Sequence, residues 1–380
     1  MKILHVCLSG YYSEGWGYQD NLMTEQNIQN GYEVHVIASR FHRSIDNKIV
    51  KNPNNSYIDK YGVYIHRLDF KFPYLGKFNN NVRIYRGLLK TMQFIKPDII
   101  FVHGLQFLDI NTIAKYAKRN HITKIYADNH AMHSNSAKSI ISKYILHRII
   151  YKYFINRNAV IFKKIFYINE SSKKFLISEY KIKKNIEFFP LCGKTISVNS
   201  REIKRQTMRK KLGLSESDIV FIHAGKLNKE KKTLELIKTF NELESLAYLV
   251  IVGSVDDAIS FNFYKEIKKN NSIYYVGWKN SDELIDYLCC GDVLVQPGSQ
   301  SILFQQAISC GLALILDKNE DTEKLVKYNN GLLLSKIEEL RESLLFFLNE
   351  KNILVEYKKK SYLLATKELN YDVISKKYLD

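Results

Sequence analysis

The amino-acid sequence predicts an α/β protein made of two domains, each built around a buried parallel sheet. The chain has 380 residues, of which 46% are apolar, so it is too long for one ordinary core and rich enough in apolar residues for two. Short apolar segments alternate with helical patterns along both halves, which is typical of parallel sheets covered by helices. Polar, glycine-containing segments follow several of these apolar runs, where ligands bind to open α/β sheets.

The first half begins with a strand, a glycine-rich loop, a helix and a second strand. The two strands are predicted at residues 2–9 and 32–39, the loop at 10–17, and the helix at 18–30, just before Gly31. Further strands in this half are predicted at residues 63–67, 99–103, 124–127, 166–169 and 186–190, and a helix at 170–178.

The second half repeats the alternation of strands and helices. Its first strand is predicted at residues 219–224 and its last at 312–316, and Ser281 is expected to cap a helix with an acidic first turn. The polar, basic residues 197–211 are predicted to form a linker. The other elements predicted here are strands at 249–253, 272–276 and 292–296 and helices at 302–310 and 371–379.

These patterns place an N-terminal domain at residues 1–193 and a C-terminal domain at residues 194–365. Residues 366–380 are predicted to form a C-terminal helix that packs back on the N-terminal domain. Because ligands bind at the carboxyl ends of parallel strands, we expect two such domains to face each other across a cleft.

The charge balance is strongly basic, with 57 Lys and Arg against 39 Asp and Glu and a net charge of +18. Such an excess favours anionic partners, namely nucleic acid, acidic lipid headgroups or phosphorylated substrates, and charge alone does not choose among them. Residues 138–174 interleave basic residues with Tyr and Phe around a helix. That segment is either a packed helix with Lys and Arg stems along its surface or a membrane-surface patch.

Cysteine usage and hydropathy bear on cellular location. The five cysteines include no Cys-x-x-Cys pair, so we expect neither a disulfide framework nor a metal site. The first twelve residues resemble a strand rather than a signal peptide, and no uncharged apolar segment reaches the ~20 residues that span a bilayer. We therefore expect a cytoplasmic protein.

Two lysines form the first candidate site. Lys226 and Lys231 lie between a predicted strand and a predicted helix, where exposed amides at the helix start also favour anions. Two ammonium groups at this spacing suit a diphosphate. The alternative is a solvated, lysine-rich turn.

Two further segments carry candidate residues. Residues 297–311 form a loop and a helix whose free amides near Ser299 make a second anion site, or else an ordinary capped helix. His130 follows a predicted strand and is either a sugar contact or a structural histidine. The loop at residues 10–17 lacks a Gly-x-Gly-x-x-Gly pattern, so it does not predict dinucleotide binding.

Three stretches, taken together, resemble the retaining glycosyltransferases of family 4, which have the GT-B fold of two Rossmann-like domains. The opening MKILHVCLSG to GYEVHVIAS resembles that family's first strand, glycine-rich loop and second strand. HAGKLNKEKK resembles its donor motif, and VGWKNSDELIDYLCCGDVLVQPG followed by QQAISCGLALI resembles its closing donor-site block. The resemblance covers essentially the whole chain.

This resemblance implies a role for each matching position. Lys226, Lys231 and His130 would be the catalytic residues, with the lysines on the diphosphate and the histidine on the donor sugar. The implied donor-binding residues are Gly225, Trp278, Lys279, Ser299, Gln300, Ser301 and Gln306, and the implied acceptor-side residues are Gly15 and Gly17. It also implies a nucleotide-sugar donor, UDP-sugar being favoured, with no cofactor and no metal.

The sequence departs from the family at two glutamates. The family has Glu, seven residues, and a second Glu, whereas Gly298 and Gln306 occupy these positions here. A glutamine still accepts and donates hydrogen bonds, so contact with ribose hydroxyls remains possible at Gln306. The glycine cannot replace the first carboxylate, which puts the donor's identity in question.

The predicted function is transfer of a sugar, with retention, to a hydroxyl of a cell-surface glycan precursor such as capsule, lipopolysaccharide O-antigen or teichoic acid. A lipid-linked acceptor at the anionic inner face of the plasma membrane suits the basic charge. A non-catalytic GT-B partner of another glycosyltransferase is the alternative that the two replaced glutamates suggest. We expect no nucleic-acid partner, because no RNA- or DNA-binding motif is present.

Overall fold

The computed structural model describes residues 1–44, 48–137, 139–183, 185–243, 247–299 and 301–379. The chain divides into two compact units. The first unit contains Met1–Glu14, Tyr18–Pro190 and Ile374–Asp380, and the second contains Gly15–Gly17 and Leu191–Val373.

The first unit is built on a predominantly parallel sheet. Its strands are β1 (Lys2–Cys7), β2 (Glu33–Ser39), β3 (Phe41–Arg43), β4 (Ile49–Lys51), β5 (Ser56–Ile58), β6 (Tyr64–Leu68), β7 (Ile99–Val102), β8 (Lys124–Asn129), β9 (Lys164–Tyr167) and β10 (Ile186–Phe188). Eight of the described strands form one sheet in the order β10-β9-β8-β7-β1-β2-β6-β5. Only the edge strand β5 runs antiparallel within it, while β3 and β4 pair separately.

Helices cover this sheet, since its central strands are buried on both faces. Along β1, every residue from Ile3 to Cys7 is buried. The helices are α1 (Gln19–Gln29), α2 (Asn79–Val82), α3 (Leu88–Ile95), α4 (Ile110–Ala117), α5 (Lys152–Asn158) and α6 (Glu170–Glu179), with a π-helical segment at Ile141–Tyr151 and short 3-10 turns at Pro73–Phe78 and Ala159–Ile161.

The second unit has a wholly parallel sheet. Its strands are β11 (Ile219–Ala224), β12 (Ala247–Val252), β13 (Ile273–Tyr275), β14 (Val293–Gln296), β15 (Ala313–Asp317) and β16 (Gly331–Leu334). Their order is β13-β12-β11-β14-β15-β16. The prediction that residues 312–316 form the last strand is wrong, because β16 follows and pairs with β15. Its first residue is glycine, and a Cβ there would lie 2.6 Å from Leu314 O.

The helices of the second unit and the chain end complete the structure. They are α7 (Val198–Leu212), α8 (Thr233–Asn241), α9 (Asp257–Ile267), α10 (Ser281–Cys290), α11 (Leu303–Ser309), α12 (Glu320–Val326), α13 (Leu340–Asn349), α14 (Lys351–Lys367), α15 (Tyr371–Ile374) and α16 (Lys376–Leu379), with 3-10 turns at Lys229–Lys231 and Ile337–Glu339. In the described part of the chain, no helix combines the length and the apolar character needed to cross a bilayer. The α/β class and the two parallel-sheet domains that the sequence predicted are confirmed.

The predicted linker at residues 197–211 is wrong, because these residues form α7. Ser197 caps its start by accepting a hydrogen bond from Ser200 N at 3.2 Å, and Gly213 ends it with a positive φ of 69°. The buried Arg209 anchors the helix by donating to Asp292 Oδ2 at 2.8 Å. A guanidinium holds this helix to the unit instead of an apolar stripe, so the sequence shows no helical periodicity.

The cap of α10 also differs from its prediction. Asn280, not Ser281, is the N-cap residue, and its Oδ1 accepts from Glu283 N at 3.0 Å. Glu283 Oε2 accepts from Asn280 N at 3.2 Å, which completes a capping box. The capping position therefore lies one residue earlier in the Asn-Ser pair.

Candidate active site

Two loops meet in the second unit at the carboxyl ends of the neighbouring strands β11 and β14. Ser299 N donates to Glu230 O at 2.9 Å. A Cβ on Gly298 would lie 2.2 Å from Glu230 O and 2.8 Å from Lys231 Cα. Because both are backbone atoms, a side chain at position 298 would push the loops apart. The glycine that stands at the first glutamate position of the resemblance is therefore what allows the loops to touch.

Lys231 lies at this junction and is 8% exposed. Its Nζ donates to Ser299 O at 2.5 Å, and its backbone N–H donates to Asn228 Oδ1 at 3.0 Å. Burial disfavours the ammonium form and lowers the pKa of Lys231 to about 8, against the opposing effect of the Glu230 carboxylate. An anion that enters here would stabilise the charged form, so the position suits a phosphate.

Lys226 extends to a different group. Its side chain is 66% exposed, and its Nζ lies 3.0 Å from Asp256 Oδ2. Asp256 is the N-cap residue of α9 and also accepts from Ala258 N. The two lysines predicted to hold one diphosphate thus have separate partners in this structure. An exposed ion pair is weak because solvent screens it, so Lys226 leaves Asp256 at little cost.

Gly225 places Lys226 by a tight turn after β11. Its φ is 113°, a backbone angle that residues other than glycine rarely adopt. Gly253, at the end of the neighbouring strand β12, lies directly against it, because a Cβ there would be 1.8 Å from Gly225 O. The ends of β11 and β12 therefore approach each other through two glycines.

Trp278 and Lys279 follow β13 after a glycine turn. Gly277 has a φ of 72°, and its carbonyl accepts from Gly253 N at 2.9 Å. The Trp278 side chain is exposed, which leaves an indole face open for stacking. Lys279 Nζ lies 6.0 Å from the centre of the Tyr287 ring.

The predicted serines lie around the start of α11. Ser299 takes part in the loop junction through its backbone, and Ser301 O accepts from Phe304 N at 3.2 Å. Ser301 Oγ also faces Leu303 N, at 3.4 Å. Gln300, predicted here as a donor-binding residue, lies outside the described residues.

Gln306 binds a backbone segment in both directions. Its Oε1 accepts from Lys194 N at 2.9 Å, and its Nε2 donates to Lys194 O at 3.3 Å. Nε2 also lies 3.8 Å from Cys310 Sγ. The segment runs close over α11, because a Cβ on Gly193 would lie 2.7 Å from Gln305 O. A glutamate at position 306 would lack the N–H group that donates to Lys194 O. In the actual Gln306, one lone pair of Oε1 remains free to accept from a ligand.

Two buried polar residues that the sequence analysis missed form hydrogen bonds between the strands that carry these loops. His223 Nδ1–H donates to Val295 O at 2.8 Å, and its Nε2 accepts from Thr233 Oγ1 at 3.0 Å. Burial lowers the pKa of His223 to about 4, so the ring is neutral and bridges β11, β14 and α8. Gln296 Nε2 donates to Ala224 O at 2.5 Å. Polar residues at the ends of two adjacent buried strands were the available signal.

In the first unit, His130 forms a pair with Asp128 at the end of β8. His130 Nε2 lies 3.2 Å from Asp128 Oδ2, and its side chain is 40% exposed. Burial would raise the pKa of Asp128, but the adjacent His130 and His103 outweigh it and hold that pKa well below its usual range. Burial would lower the pKa of His130, but the Asp128 carboxylate outweighs it and raises that pKa. Among the described residues, no three or more His, Cys, Asp or Glu cluster in a way that could hold a metal ion.

Gly15 and Gly17, the predicted acceptor-side residues, group with the second unit. Gly15 has a φ of 76°, which requires its lack of a side chain. A Cβ on Gly17 would lie 2.8 Å from Ser281 Oγ, so this glycine allows a close approach to the start of α10.

A basic cavity of about 580 Å³ lies between α4 and α5 of the first unit. Its lining includes four cations, Lys115, Lys118, Arg119 and Arg157. In the described ranges none of the four forms an ion pair with a carboxylate. Exposed apolar side chains are present on the same stretch of chain, namely Ile140, Ile145, Ile149 and Val160. The segment at 139–174 therefore has buried side chains, such as Tyr151 and Ile155, as well as exposed apolar and basic ones.

A family model matches part of the chain, and a search of curated proteins finds no significant match. The model is that of glycosyl transferases group 1, and it matches residues 204–363. These residues include Lys226, Lys231, Gly298 and Gln306. The matched region supports a glycosyltransferase.

Solved structures resemble the chain over almost its whole length. Sucrose-phosphate synthase from Thermosynechococcus elongatus has a TM-score of 0.70 and 12% identity, with 99% of this chain and 96% of that chain covered. HepE of Anabaena, solved in complex with UDP, has a TM-score of 0.69 and 13% identity, with 99% and 98% covered. WaaG, a glycosyltransferase involved in lipopolysaccharide biosynthesis, has a TM-score of 0.66 and 13% identity, with 99% and 98% covered. At such identities the likeness establishes the fold, which is GT-B.

Proposed function

We propose that the chain, a glycosyltransferase with the GT-B fold, moves a sugar with retention from a nucleoside diphosphate to an acceptor hydroxyl, in the manner of family 4. UDP is the favoured nucleotide. Its support is that HepE, a structure of the same fold, is solved with UDP and with UDP-glucose. In this proposal the second unit, which contains the region matched by the family model, binds the nucleotide, and the N-terminal half of the chain serves the acceptor.

The observation that carries the proposal is the ammonium of Lys231 at the loop junction. It is buried, it lies beside backbone groups at the ends of two parallel strands, and its lowered pKa marks a charge that lacks solvation. Negative charge grows on the diphosphate as the sugar leaves. A cation held in place before the reaction stabilises that charge without reorganising, which is usually the largest catalytic contribution.

The other predicted residues take roles around this anchor. Lys226, carried by the turn at Gly225, releases Asp256 and binds the second phosphate. Trp278 and Lys279 contact the nucleobase. Ser299, Gln300 and Ser301 hold the donor sugar with His130, Gln306 accepts from a ribose hydroxyl through its remaining lone pair, and Gly15 and Gly17 border the acceptor.

The reaction breaks the bond between sugar C1 and the diphosphate oxygen and forms one between C1 and the acceptor oxygen. The acceptor attacks the face that the leaving group departs from, so configuration is retained. Its proton passes to the leaving phosphate, and no protein base is required.

Because lysines neutralise the diphosphate, the proposal includes no metal. A chelator should therefore leave turnover unchanged. Loss of turnover that Mg²⁺ or Mn²⁺ restores would contradict this prediction.

The test of the donor site replaces Lys231 by Ala. Turnover of UDP-sugar should fall by about 10²–10³, the loss typical of one preorganised charge donor. Lys238→Ala, an exposed lysine on α8, is the matched control and should keep wild-type turnover. Release of UDP and thermal unfolding are measured on both. Wild-type turnover in folded Lys231→Ala would remove the assignment of the diphosphate.

We place the acceptor on a lipid-linked precursor of a cell-surface glycan, handled at the inner face of the plasma membrane. Support comes from the net charge of +18 and from the basic cavity of the first unit, which the exposed Tyr153 also lines. Polybasic surfaces of this kind bind anionic headgroups. Among proteins of the same fold, WaaG is involved in lipopolysaccharide biosynthesis.

A further inference from the structure

A row of buried polar side chains crosses the first unit from the last helix to Asp128. Tyr378 Oη lies 3.0 Å from Asn27 Oδ1, and Asn27 Nδ2 lies 2.9 Å from His5 Nε2. His5 Nδ1 lies 2.9 Å from His103 Nε2, and His103 Nδ1 lies 3.2 Å from Asp128 Oδ2. The row follows the sheet, since β1, β7 and β8 are neighbours.

With both histidine rings neutral, hydrogen-bond chemistry sets the direction of every link. Asp128 is a carboxylate and only accepts, so His103 Nδ1–H donates to it and His103 Nε2 accepts from His5 Nδ1–H. His5 Nε2 then accepts from Asn27 Nδ2, and Asn27 Oδ1 accepts from the Tyr378 hydroxyl. Burial, together with the adjacent His103, holds the pKa of His5 well below its usual range, in keeping with a neutral ring. All the hydrogens therefore point toward Asp128.

The hydrogen bonds of such a row depend on one another. Bonds that share one direction polarise each other, and a buried polar group left unpaired is unfavourable. Tyr378 sets the orientation of the Asn27 amide, and that amide sets which nitrogen of His5 carries the proton. The Tyr378 ring is itself held 5.0 Å from the ring of Phe101, so α16 places the hydroxyl firmly.

We propose that Tyr378, Asn27, His5 and His103 form a histidine relay that keeps Asp128 aligned as the acceptor for His130. Tyr378 and Asn27 are then positioning residues, because they act on His130 through the relay and not by direct contact. Tyr378 lies 248 positions from His130 in the sequence. The link to catalysis rests on the proposed contact of His130 with the donor sugar. The relay itself does not depend on that contact.

The relay also has a second, reversed state. If His103 takes up one proton, its Nε2–H donates to His5 Nδ1, His5 Nε2–H donates onward, and the Asn27 amide must rotate to accept. The added charge beside Asp128 would weaken the hold of that carboxylate on His130. Among the described residues, the charged groups that act on His130 are the carboxylates of Asp128 on β8 and Asp20 on α1, and His103 after β7 contacts Asp128.

The direct test is the protonation of each histidine ring, observed by NMR on the full chain labelled with ¹⁵N-histidine. The relay requires that His5 and His103 each carry a hydrogen at Nδ1 and none at Nε2. Doubly protonated His103, or either ring protonated at Nε2 alone, in the wild type would overturn the relay. This measurement needs no variant to fold and no substrate.

Two variants test the direction of the relay. Asn27→Asp replaces the amide donor by an acceptor, so His103 should become doubly protonated and His130 should titrate at lower pH. Tyr378→Phe should shift the ring signals of His5 and His103. Tyr151→Phe is the matched control, because it removes another buried hydroxyl of the same unit, which donates to Asn81 O at 2.6 Å. Identical histidine signals in wild type, Asn27→Asp and Tyr378→Phe would refute the relay.

Turnover separates this inference from the proposed function. Tyr378→Phe should lower kcat about threefold to tenfold, as for the loss of one buried hydrogen bond, and move the pH profile of kcat to lower pH. Tyr151→Phe should leave that profile in place. If the ring signals respond as expected while His130→Ala retains full turnover, the relay is supported and His130 has no role in the transferase mechanism.

Discussion

At the scale of single residues, Lys231 combines a buried ammonium with a backbone partner, so its charge should depend on both pH and ligand. Its pKa of about 8 means that the charged form is lost as the pH rises through that value. UDP affinity, measured by calorimetry, should therefore fall between about pH 7 and pH 9. In Lys231→Arg, where the guanidinium stays charged, the affinity for UDP should be independent of pH over this range. A flat profile in the wild type would contradict the assignment.

The stability of the unliganded protein should change in the opposite direction. An unfolded lysine titrates near 10.4, so between about pH 8 and pH 10.4 the unfolded chain binds the extra proton and stability rises with pH. Lys231→Met lacks this contribution, and the difference in unfolding free energy between wild type and variant isolates it from the other titrating groups. A difference that does not vary with pH would contradict the lowered pKa.

Gly298 is the second residue with a sharp expectation. Gly298→Ala places a methyl group 2.2 Å from Glu230 O, so the two loops must separate. We expect a loss of about 1–3 kcal/mol in unfolding free energy and weaker UDP binding. Gly10→Ala is the stability control, since nothing lies within 4 Å of a Cβ there. Wild-type stability and UDP affinity in Gly298→Ala would show that the loop junction is not needed.

At the scale of elements, α7 is held to the second unit by charge. Asp292 accepts from Arg209, from Arg205 at 3.1 Å and from Lys358. Burial would raise the pKa of Asp292, but these three cations outweigh it and lower that pKa. The carboxylate thus stays charged and joins α7 and α14 to the start of β14.

Removing this carboxylate should destabilise the unit strongly. Asp292→Asn leaves three cations without their partner, two of them on α7, and should cost about 3–5 kcal/mol of unfolding free energy. Asp286→Asn breaks the half-buried pair with Lys204, which joins α7 to α10 and is more open to solvent than Asp292, and should cost about 0–1 kcal/mol. Denaturant unfolding compares the two. Equal losses would mean that burial does not distinguish the pairs.

The same elements explain what the sequence could predict. Central strands such as β1 and β11 are buried on both faces, so apolar runs marked them clearly. The helix α7 escaped because guanidinium groups anchor it, and β16 because it is a short run after Asn329 and Asn330 in a loop-like context. Local patterns record burial, whereas these features depend on partners distant in sequence.

The candidate site was predictable to a similar degree. The position of Lys231 before a helix indicated an anion site, and its buried contact with Ser299 O required the folded loops. The pairing of Gln306 with Lys194 and the relay from Tyr378 to Asp128 join residues far apart in the chain. No spacing rule connects such residues, because tertiary packing alone brings them together.

At the scale of the whole molecule, the cations behind the net charge of +18 do not all attract anionic partners equally. Many cations pair with carboxylates, as Lys226 does with Asp256, and their fields cancel at a distance. The cations of the basic cavity have no such carboxylate partner in the described chain, and the exposed Tyr153 lines the same cavity. An anionic membrane should therefore be attracted to this surface of the first unit more than to others.

Removal of equal charge from two surfaces tests this directly. Lys115→Ser with Lys118→Ser should weaken flotation with vesicles of phosphatidylglycerol and phosphatidylcholine, by about 1 kcal/mol for each cation near the surface. Lys265→Ser with Lys268→Ser, two exposed lysines at the C-terminal end of α9, removes the same net charge and should bind these vesicles as the wild type does. Binding of the wild type should also weaken as salt rises, because exposed charges are screened. If both pairs of substitutions weaken binding equally, net charge rather than the cavity governs the attraction, and the membrane-facing role of α4 and α5 is lost.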